Sequence, residues 1–237
     1  MITQQIQYGT TTIEYQLTFS QRKTLGISVH PDCSVRVVAP VGSTQAEIEA
    51  KLKQRRAWIV KQQQQFERYL PLLPPRQYVS GETHLYLGKQ YRLKIEEAPA
   101  PAVKLTRGRF YIYTANVKDR ATISDQLEGW YRAKAHTIFA EQLTTCLKKV
   151  AVVGITTTPE LRIRTMQKRW GSCTGAGVIT LNLKLIQVPK ALIDYVIIHE
   201  LCHLKQHNHS SAYYRLLDRV LPEWQARREE LNRVKVA

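Results

Sequence analysis

Apolar and polar residues alternate along the first 40 residues of the chain. Three runs show this pattern, at residues 13–19, 25–29 and 35–39. Alternation predicts β-strands, because successive side chains of a strand point to opposite faces. Pro31 and Asp32, between the last two runs, are typical of a turn, so we expect those two strands to form a hairpin.

The next segment changes to helical spacing. Thr44 and Glu47 have the form of a capping box, in which each side chain accepts a hydrogen bond from the other's backbone N–H. The apolar residues that follow keep roughly helical spacing, which predicts a helix from residue 44 to about residue 69. Its many basic residues indicate a solvated face rather than a nucleic-acid contact. A proline-rich segment at residues 71–75 ends it.

Short apolar runs separated by glycines come next. They predict strands with turns at Gly81, Gly88 and Gly108. The runs lie at residues 85–87, 91–95, 103–105 and 110–113. Residues 1–115 are therefore expected to form a β-rich N-terminal region with one helix. No repeat of fixed period is apparent in the sequence.

The remainder of the chain mixes both patterns. Helical spacing returns at residues 124–150, and residues 160–186 favour strands again. Pro189 opens an apolar helix, since proline suits the first helical position. Ser210 or Ser211 can cap a last helix that ends near Val220, before a polar tail. We thus expect an α+β fold, with a catalytic domain of helices and a small sheet at residues 116–237.

The amino-acid composition gives the chain a strong positive charge. The 237 residues include 35 Lys and Arg against 19 Asp and Glu, a formal net charge of +16, and 43% are hydrophobic, enough for a packed core. The charge favours an anionic partner such as nucleic acid, although a solvated basic surface explains it equally well. No signal peptide, membrane-length apolar stretch or paired C-x-x-C cysteines are visible. These features predict a cytoplasmic protein with reduced thiols and no membrane partner.

The strongest chemical signal lies in the apolar helix. His199 and His203 are four residues apart, so on a helix they lie on one face. Two neutral imidazoles in this arrangement can bind one Zn²⁺, and Glu200 between them can act as general base towards a zinc-activated water. Buried ionisable groups are costly unless they are paired or bind a metal, which favours a metal site over a chance match.

A catalytic zinc needs a third protein ligand and one open position. His207 would lie about 6 Å further along a continuous helix than His203, out of easy reach of the same metal. His209 is better placed if the chain turns after about Gln206, and Asn208 can supply that turn because it tolerates a left-handed conformation. Glutamates are the remaining alternatives, at Glu223 and Glu229.

These residues carry a family resemblance. The segment Arg-Trp-Gly-Ser-Cys at 169–173, the strand at 178–182, and the motifs at 199–203 and 208–210 closely resemble the YgjP-like metallohydrolases. That family is related to the SprT-like and WLM metallopeptidases, and a looser similarity covers nearly the whole chain. The resemblance implies a zincin-like catalytic unit. It implies zinc bound by His199, His203 and His209, with Glu200 as the base.

A zinc-dependent peptidase is the leading hypothesis for function. The strand at 178–182, which ends at Asn182, is expected to present an edge on which an extended peptide substrate lies by strand addition. Asn182 is a candidate for substrate binding, and so are Arg169, Tyr213 and Tyr214. The last three are also candidates for stabilising the oxyanion, by their closeness in sequence to the motif.

Two other functions stay open at this level. One is a hydrolase of nucleotide phosphoanhydride bonds, in which a cluster of cations holds phosphate. Those cations would be Arg162, Arg164, Lys168 and Arg169. No glycine-rich phosphate loop of recognised form accompanies them. The other is a basic nucleic-acid-binding module that retains a vestigial zinc site.

Overall fold

The protein divides into two compact units, Met1–Pro74 and Pro75–Ala237. The computed structural model describes residues 2–8, 11–30, 32–67, 76–167 and 169–234. The division falls earlier than the boundary at 115/116 that the sequence analysis gives. Strands between residues 83 and 114 share a hydrophobic core with the C-terminal helices, through Leu93, Phe110 and Ile112.

The described residues of the N-terminal unit form one four-stranded sheet and one helix. The strands are β1 (Ile2–Tyr8), β2 (Thr11–Ser20), β3 (Gly26–Val29) and β4 (Val35–Pro40), in the order β1-β2-β4-β3, and the helix is α1 (Gln45–Glu67). The predicted hairpin is confirmed, since β3 pairs antiparallel with β4. The capping box is also confirmed: Thr44 N donates to Glu47 Oε2 (2.8 Å) and Glu47 N donates to Thr44 Oγ1 (3.3 Å). Residues 68 and 69 of the predicted helix lie outside the described residues.

The core of this unit follows the alternation in the sequence. Inward residues of β2 and β4 meet one face of α1, which buries the unit's apolar side chains away from water. The buried set includes Ile13, Tyr15, Leu17, Val35, Val37, Ala39, Ile48, Leu52 and Ile59.

A second four-stranded sheet begins the C-terminal unit. Its strands are β5 (Thr83–Tyr86), β6 (Lys89–Glu97), β7 (Ala102–Thr106) and β8 (Arg109–Thr114), in the order β5-β6-β8-β7. Gly88 in the β5–β6 turn has φ +79°, and a Cβ there would lie 2.6 Å from Cγ of Pro189. Leu87 N also donates to Ile186 O (2.9 Å). This turn is therefore fixed against the start of the helix that carries the histidines.

The long helix α2 (Arg120–Val150) leads to a three-stranded sheet. Its strands are β9 (Glu160–Arg164), β10 (Gly171–Cys173) and β11 (Val178–Asn182), in the order β10-β11-β9. The prediction that the strand at 178–182 offers a free edge is wrong. β11 is central, parallel to β9 and antiparallel to β10. The outer strand beside the motif is β10.

Three helices complete the part of the C-terminal unit that the structure describes: α3 (Lys190–Cys202), α4 (Ser211–Val220) and α5 (Trp224–Arg233). Almost all of α3 is buried, and Asp194 ties it to α2 by accepting from Gln142 Nε2 (2.9 Å) and Lys149 Nζ (3.2 Å). The predicted polar tail after Pro222 is in fact α5, because Trp224 and Leu231 anchor one face of it in the core. Among the described helices, none is both long and apolar enough to span a membrane.

Candidate metal centre

Helix α3 fixes the first two histidines. Pro189 occupies its N-cap position, and the apolar residues that surround the motif bury the helix on nearly every side. Because His199 and His203 lie one helical turn apart, their rings face the same region, with centroids 5.1 Å apart. The motif helix predicted from spacing is thus present at the predicted residues.

His209 joins this pair in the structure. Its Nε2 lies 3.1 Å from Nε2 of His199, and the possible ligand atoms of His199, His203 and His209 all lie within 4.8 Å of one another. Two nitrogens bound to one zinc at about 2.0–2.1 Å lie roughly 3.4 Å apart at a tetrahedral angle. The separation therefore suits two ligands of one ion.

The alternative third ligands lie elsewhere. Glu223 pairs with Arg227 (2.6 Å) and Glu229 pairs with Arg233 (3.6 Å). His207 does not belong to the group of converging ligand atoms. Of the candidates that the sequence left open, the geometry favours His209.

The turn that delivers His209 starts earlier than predicted. Helix α3 ends at Cys202, with His203 as C-cap, and Gln206 N donates to Cys202 O (3.0 Å). Asn208 does not adopt the left-handed conformation that the sequence analysis assigned to it. Lys205 Nζ donates to Val153 O (2.8 Å) and so anchors the turn to the core.

The hydrogen bond of His203 determines which of its nitrogens is available. Nδ1 lies 3.0 Å from Gln206 O. A carbonyl oxygen only accepts, so Nδ1 carries the proton and Nε2 of the neutral ring is left with a free lone pair. Backbone carbonyls commonly hold metal-binding histidines in this way.

Tyr213 forms the wall behind the histidines. It is fully buried, its hydroxyl donates to His199 O (3.0 Å), and its ring stacks on His203 at 4.7 Å. Tyr214 instead stacks on Trp224 at 5.3 Å and lies 6.2 Å from His209. Both tyrosines therefore pack the centre, and the Tyr213 hydroxyl already has a partner.

The electrostatics keep the imidazoles of His199 and His209 neutral. Burial, reinforced by His203, His209 and Arg228, lowers the pKa of His199 to about 3. Burial also lowers the pKa of His209, again with His203 and Arg228 contributing. Nδ1 of His199 is buried and has no hydrogen-bond partner among the described residues, which would make a charged ring costly. Neutral imidazole is the form that binds metals, so the donor set fits a divalent ion such as zinc.

Glu200 lies beside the histidines and is almost completely buried. Burial raises the pKa of its carboxyl to about 7, against an opposing effect of Arg169. The carboxyl packs against Gly171: a Cβ at that position would lie 2.6 Å from Glu200 Oε1 and 2.9 Å from Cγ. Only glycine leaves this space. A glycine inside a strand marks a close approach of this kind, which is the sequence signal for Gly171.

A cavity of about 220 Å³ opens on His199 and Glu200. Arg169 and Gly171 line one side, and Arg228 of α5 lines it as well. Arg228 was not predicted from the sequence because α5 was not predicted. The spacing of Trp224, Arg228 and Leu231 at i, i+4 and i+7 is the pattern that marks one helical face.

Asn182 holds the loop that carries Arg169. It is buried, and its Nδ2 donates to Met166 O (2.8 Å) and Arg169 O (2.9 Å). Its Oδ1 accepts from Lys184 N (3.1 Å). Asn182 thus positions Arg169 at the cavity by holding the backbone of the loop.

The cations proposed to hold phosphate do not gather at the cavity. Arg162 forms an ion pair with Glu160 (2.6 Å). Arg164 is exposed on β9, and Lys168 lies outside the described residues. Of the cations in that proposal that the structure describes, Arg169 alone lines the cavity.

Comparison with known proteins identifies the family of the chain. No curated protein matches the chain. Among solved structures, the metallopeptidase zymogen of Pyrococcus abyssi abylysin matches with 24% identity over 39% of this chain and 90% of that chain, with a TM-score of 0.35. The model of the YgjP-like metallopeptidase domain matches residues 23–234. The chain belongs to the YgjP-like metallopeptidase family and is therefore a metal-dependent hydrolase.

Proposed function

We propose that the protein is a zinc-dependent peptidase in which His199, His203 and His209 bind the metal and Glu200 is the general base. One observation carries the proposal: the buried Glu200 carboxyl borders the same cavity as His199, whose imidazole converges with those of His203 and His209. The family supports a protein or peptide substrate and gives no support to a nucleotide or nucleic acid.

A bound zinc ion supplies Lewis acidity, which lowers the pKa of water and polarises the scissile carbonyl. Glu200 accepts a proton as water attacks the carbonyl carbon and the new C–O bond forms. It then gives that proton to the amine nitrogen as the C–N bond breaks. A carboxyl with a pKa of about 7 is suited to both transfers at neutral pH.

The free edge of β10 supports a binding mode for the substrate main chain. Asn182 N donates to Trp170 O (2.8 Å) and Thr174 N donates to Val178 O (3.0 Å). Hydrogen-bonded positions alternate along an antiparallel pair, so the backbone groups of Gly171 and Cys173 point away from β11. Within the described residues no strand pairs with that edge. An extended peptide can therefore add there, beside Glu200.

We also propose that the protein acts in the cytoplasm. The four cysteines, Cys33, Cys146, Cys173 and Cys202, are all free thiols. Reduced cysteines are the usual state in the cytosol.

The first test is the zinc content of wild type and His203→Ala, measured by elemental mass spectrometry. About one zinc per wild-type chain is expected from three imidazole ligands, with loss in the variant. The absence of zinc from wild type, even after loading, would contradict the metal centre.

The second test is cleavage of casein and of internally quenched peptides by the zinc-loaded protein. Glu200→Gln should lower kcat by about 10²–10⁴-fold and keep its zinc, because general base catalysis contributes about this much. Glu141→Gln, an exposed carboxyl on α2, is the matched control and should keep full activity. If a nucleoside triphosphate is hydrolysed while every peptide stays intact, the peptidase assignment is wrong.

A further inference from the structure

Two arginines from distant parts of the chain line the cavity beside Glu200. Arg169 lies in the loop before β10, and Arg228 lies on α5. Both side chains belong to exposed residues and border the same space of about 220 Å³. Neither forms an ion pair with a carboxylate in the described part of the chain. Five other arginines pair with glutamates: Arg76, Arg132, Arg162, Arg227 and Arg233.

Helix α5 distinguishes Arg228 from its neighbour in sequence. Arg227 pairs with Glu223 (2.6 Å) and donates to Ala191 O (2.8 Å), so it fastens α5 to the start of α3. Trp224 and Leu231 bury the same helix in the core. Arg228 is thereby held at the cavity without a structural partner of its own among the described residues.

The charge of the cavity is unbalanced. Glu200 is the only carboxylate among the described residues that line it, and the proposed reaction employs that group. The guanidinium groups of Arg169 and Arg228 belong to residues that line the same cavity. A guanidinium binds a carboxylate through two parallel hydrogen bonds, which provides direction as well as attraction.

We infer that this cavity selects peptide substrates by a carboxylate that Arg169 and Arg228 bind next to the scissile bond. The inference rests on the proposed peptidase function and adds the substrate class. The volume is below the roughly 300–1,000 Å³ of clefts that enclose drug-sized ligands, so it suits a single residue. The carboxylate belongs either to an Asp or Glu side chain or to the C-terminus of the substrate.

The test compares internally quenched peptides of one sequence. A single Glu is moved through the peptide, Gln replaces it in matched partners, and each peptide is made with a free and with an amidated C-terminus. For zinc-loaded wild type we expect kcat/KM to be about tenfold higher for the favoured acidic peptide than for its neutral partner. A preference for Glu at one position identifies a side chain, and a preference for the free C-terminus identifies the terminal carboxylate.

Variants link that preference to the two arginines. Arg228→Gln and Arg169→Gln should each remove most of the preference, mainly through KM, so that each variant cleaves the acidic and the neutral peptide with similar kcat/KM. Arg233→Gln, on the same helix but paired with Glu229, is the control that should retain the preference. Equal cleavage of acidic and neutral peptides by wild type overturns the inference and leaves the peptidase function intact.

If no peptide is cleaved, the proposed peptidase function is contradicted. A binding measurement then tests separately whether the two arginines bind a carboxylate. N-acetylglutamate and N-acetylglutamine are titrated into the zinc-loaded protein by calorimetry. The acid should bind about tenfold more tightly, and Arg228→Gln should abolish the difference. Binding of the acid that both arginine variants retain indicates direct contact with the metal and overturns the inference. Arginine-dependent hydrolysis of a nucleoside triphosphate, with no effect of the acid, also overturns it.

Discussion

The two four-stranded sheets share one arrangement but have different roles. In each, the order is first, second, fourth, third, with the central pair parallel and both outer pairs antiparallel. A helix follows in each case: α1 begins at Gln45 after β4, and α2 begins at Arg120 after β8. The chain thus repeats a supersecondary arrangement that the sequence does not display as a repeat.

The difference lies in what the following helix contacts. The buried side chains of α1 meet one sheet and close the core of the N-terminal unit. Helix α2 meets its sheet through Tyr131, whose ring contacts Phe110 at 5.8 Å, and meets α3 through Lys149 and Cys146, which contact Asp194. The same arrangement is complete in one unit, and in the other it supports the helix that carries the proposed metal ligands. Function therefore follows from the added contact and not from the arrangement.

The largest effect is expected from matched truncations in the two cores. Phe110→Ala should lower the free energy of unfolding of the C-terminal unit by about 3–5 kcal/mol and reduce zinc content and peptide cleavage. Ile48→Ala should lower the free energy of unfolding of the N-terminal unit by about 2–5 kcal/mol and leave zinc content and peptide cleavage unchanged. Thermal unfolding followed by calorimetry, together with zinc content, tests this pair. Loss of zinc from Ile48→Ala would contradict the separation of roles.

A second effect should follow from filling the space that Glu200 occupies. Gly171→Ala places a Cβ within 2.6 Å of Glu200 Oε1, so the carboxyl must move. We expect kcat to fall by about 100-fold, the lower end of the range for loss of a general base, with zinc content unchanged. Gly175→Ala, where a Cβ meets nothing within 4 Å, is the control. Full activity of Gly171→Ala would show that the close packing does not position Glu200.

The contributions of Glu200 and Glu47 to the free energy of unfolding should change in opposite directions with pH, one in each unit. The pKa of Glu200 is raised to about 7 in the folded protein, so its ionisation opposes folding. Relative to Glu200→Gln, metal-free wild type should lose on the order of 3 kcal/mol as pH rises from about 4.5 to 7. Hydrogen bonds from Thr44 lower the pKa of Glu47, so its contribution is present above about pH 4.5 and is lost as pH falls through the folded pKa. Denaturant unfolding at several pH values should give opposite slopes for Glu200→Gln and Glu47→Gln.

The smallest effect concerns the turn that joins the second sheet to α3. Gly88→Ala and Gly108→Ala both require a positive φ, which costs about 1 kcal/mol or more for alanine. Gly88→Ala also clashes with Pro189, whereas Gly108 has open space. We expect Gly88→Ala to be about 1–2 kcal/mol less stable than Gly108→Ala in denaturant titrations. Equal stability would mean that this contact does not bind the second sheet to α3.

Local signals in the sequence carried most of what could be predicted. The spacing of His199, Glu200 and His203 depends on one helical turn, and the capping box at Thr44 depends on four consecutive residues, so both appear without tertiary information. The hairpin of β3 and β4 is local in the same way.

Long-range pairing accounts for what could not be predicted. Whether β11 is central or outer depends on β9 and β10, which no local pattern specifies. Helix α5 is polar along most of its length, and two anchors, Trp224 and Leu231, indicate its buried face only once α3 is in place. The same dependence concealed Arg228 and the division between the two units.

The tether between Tyr213 and His199 has a consequence for how the centre responds to loss of its ion. The segment from His203 to Ser210 is anchored at one end by Lys205 on Val153 O and at the other by Tyr213 on His199 O. Fixing a residue costs about 1–2 kcal/mol in conformational entropy, and here that cost is incurred during folding. Neither anchor involves a ligand nitrogen, so a chelator should empty the proposed centre and added zinc should refill it without a round of refolding.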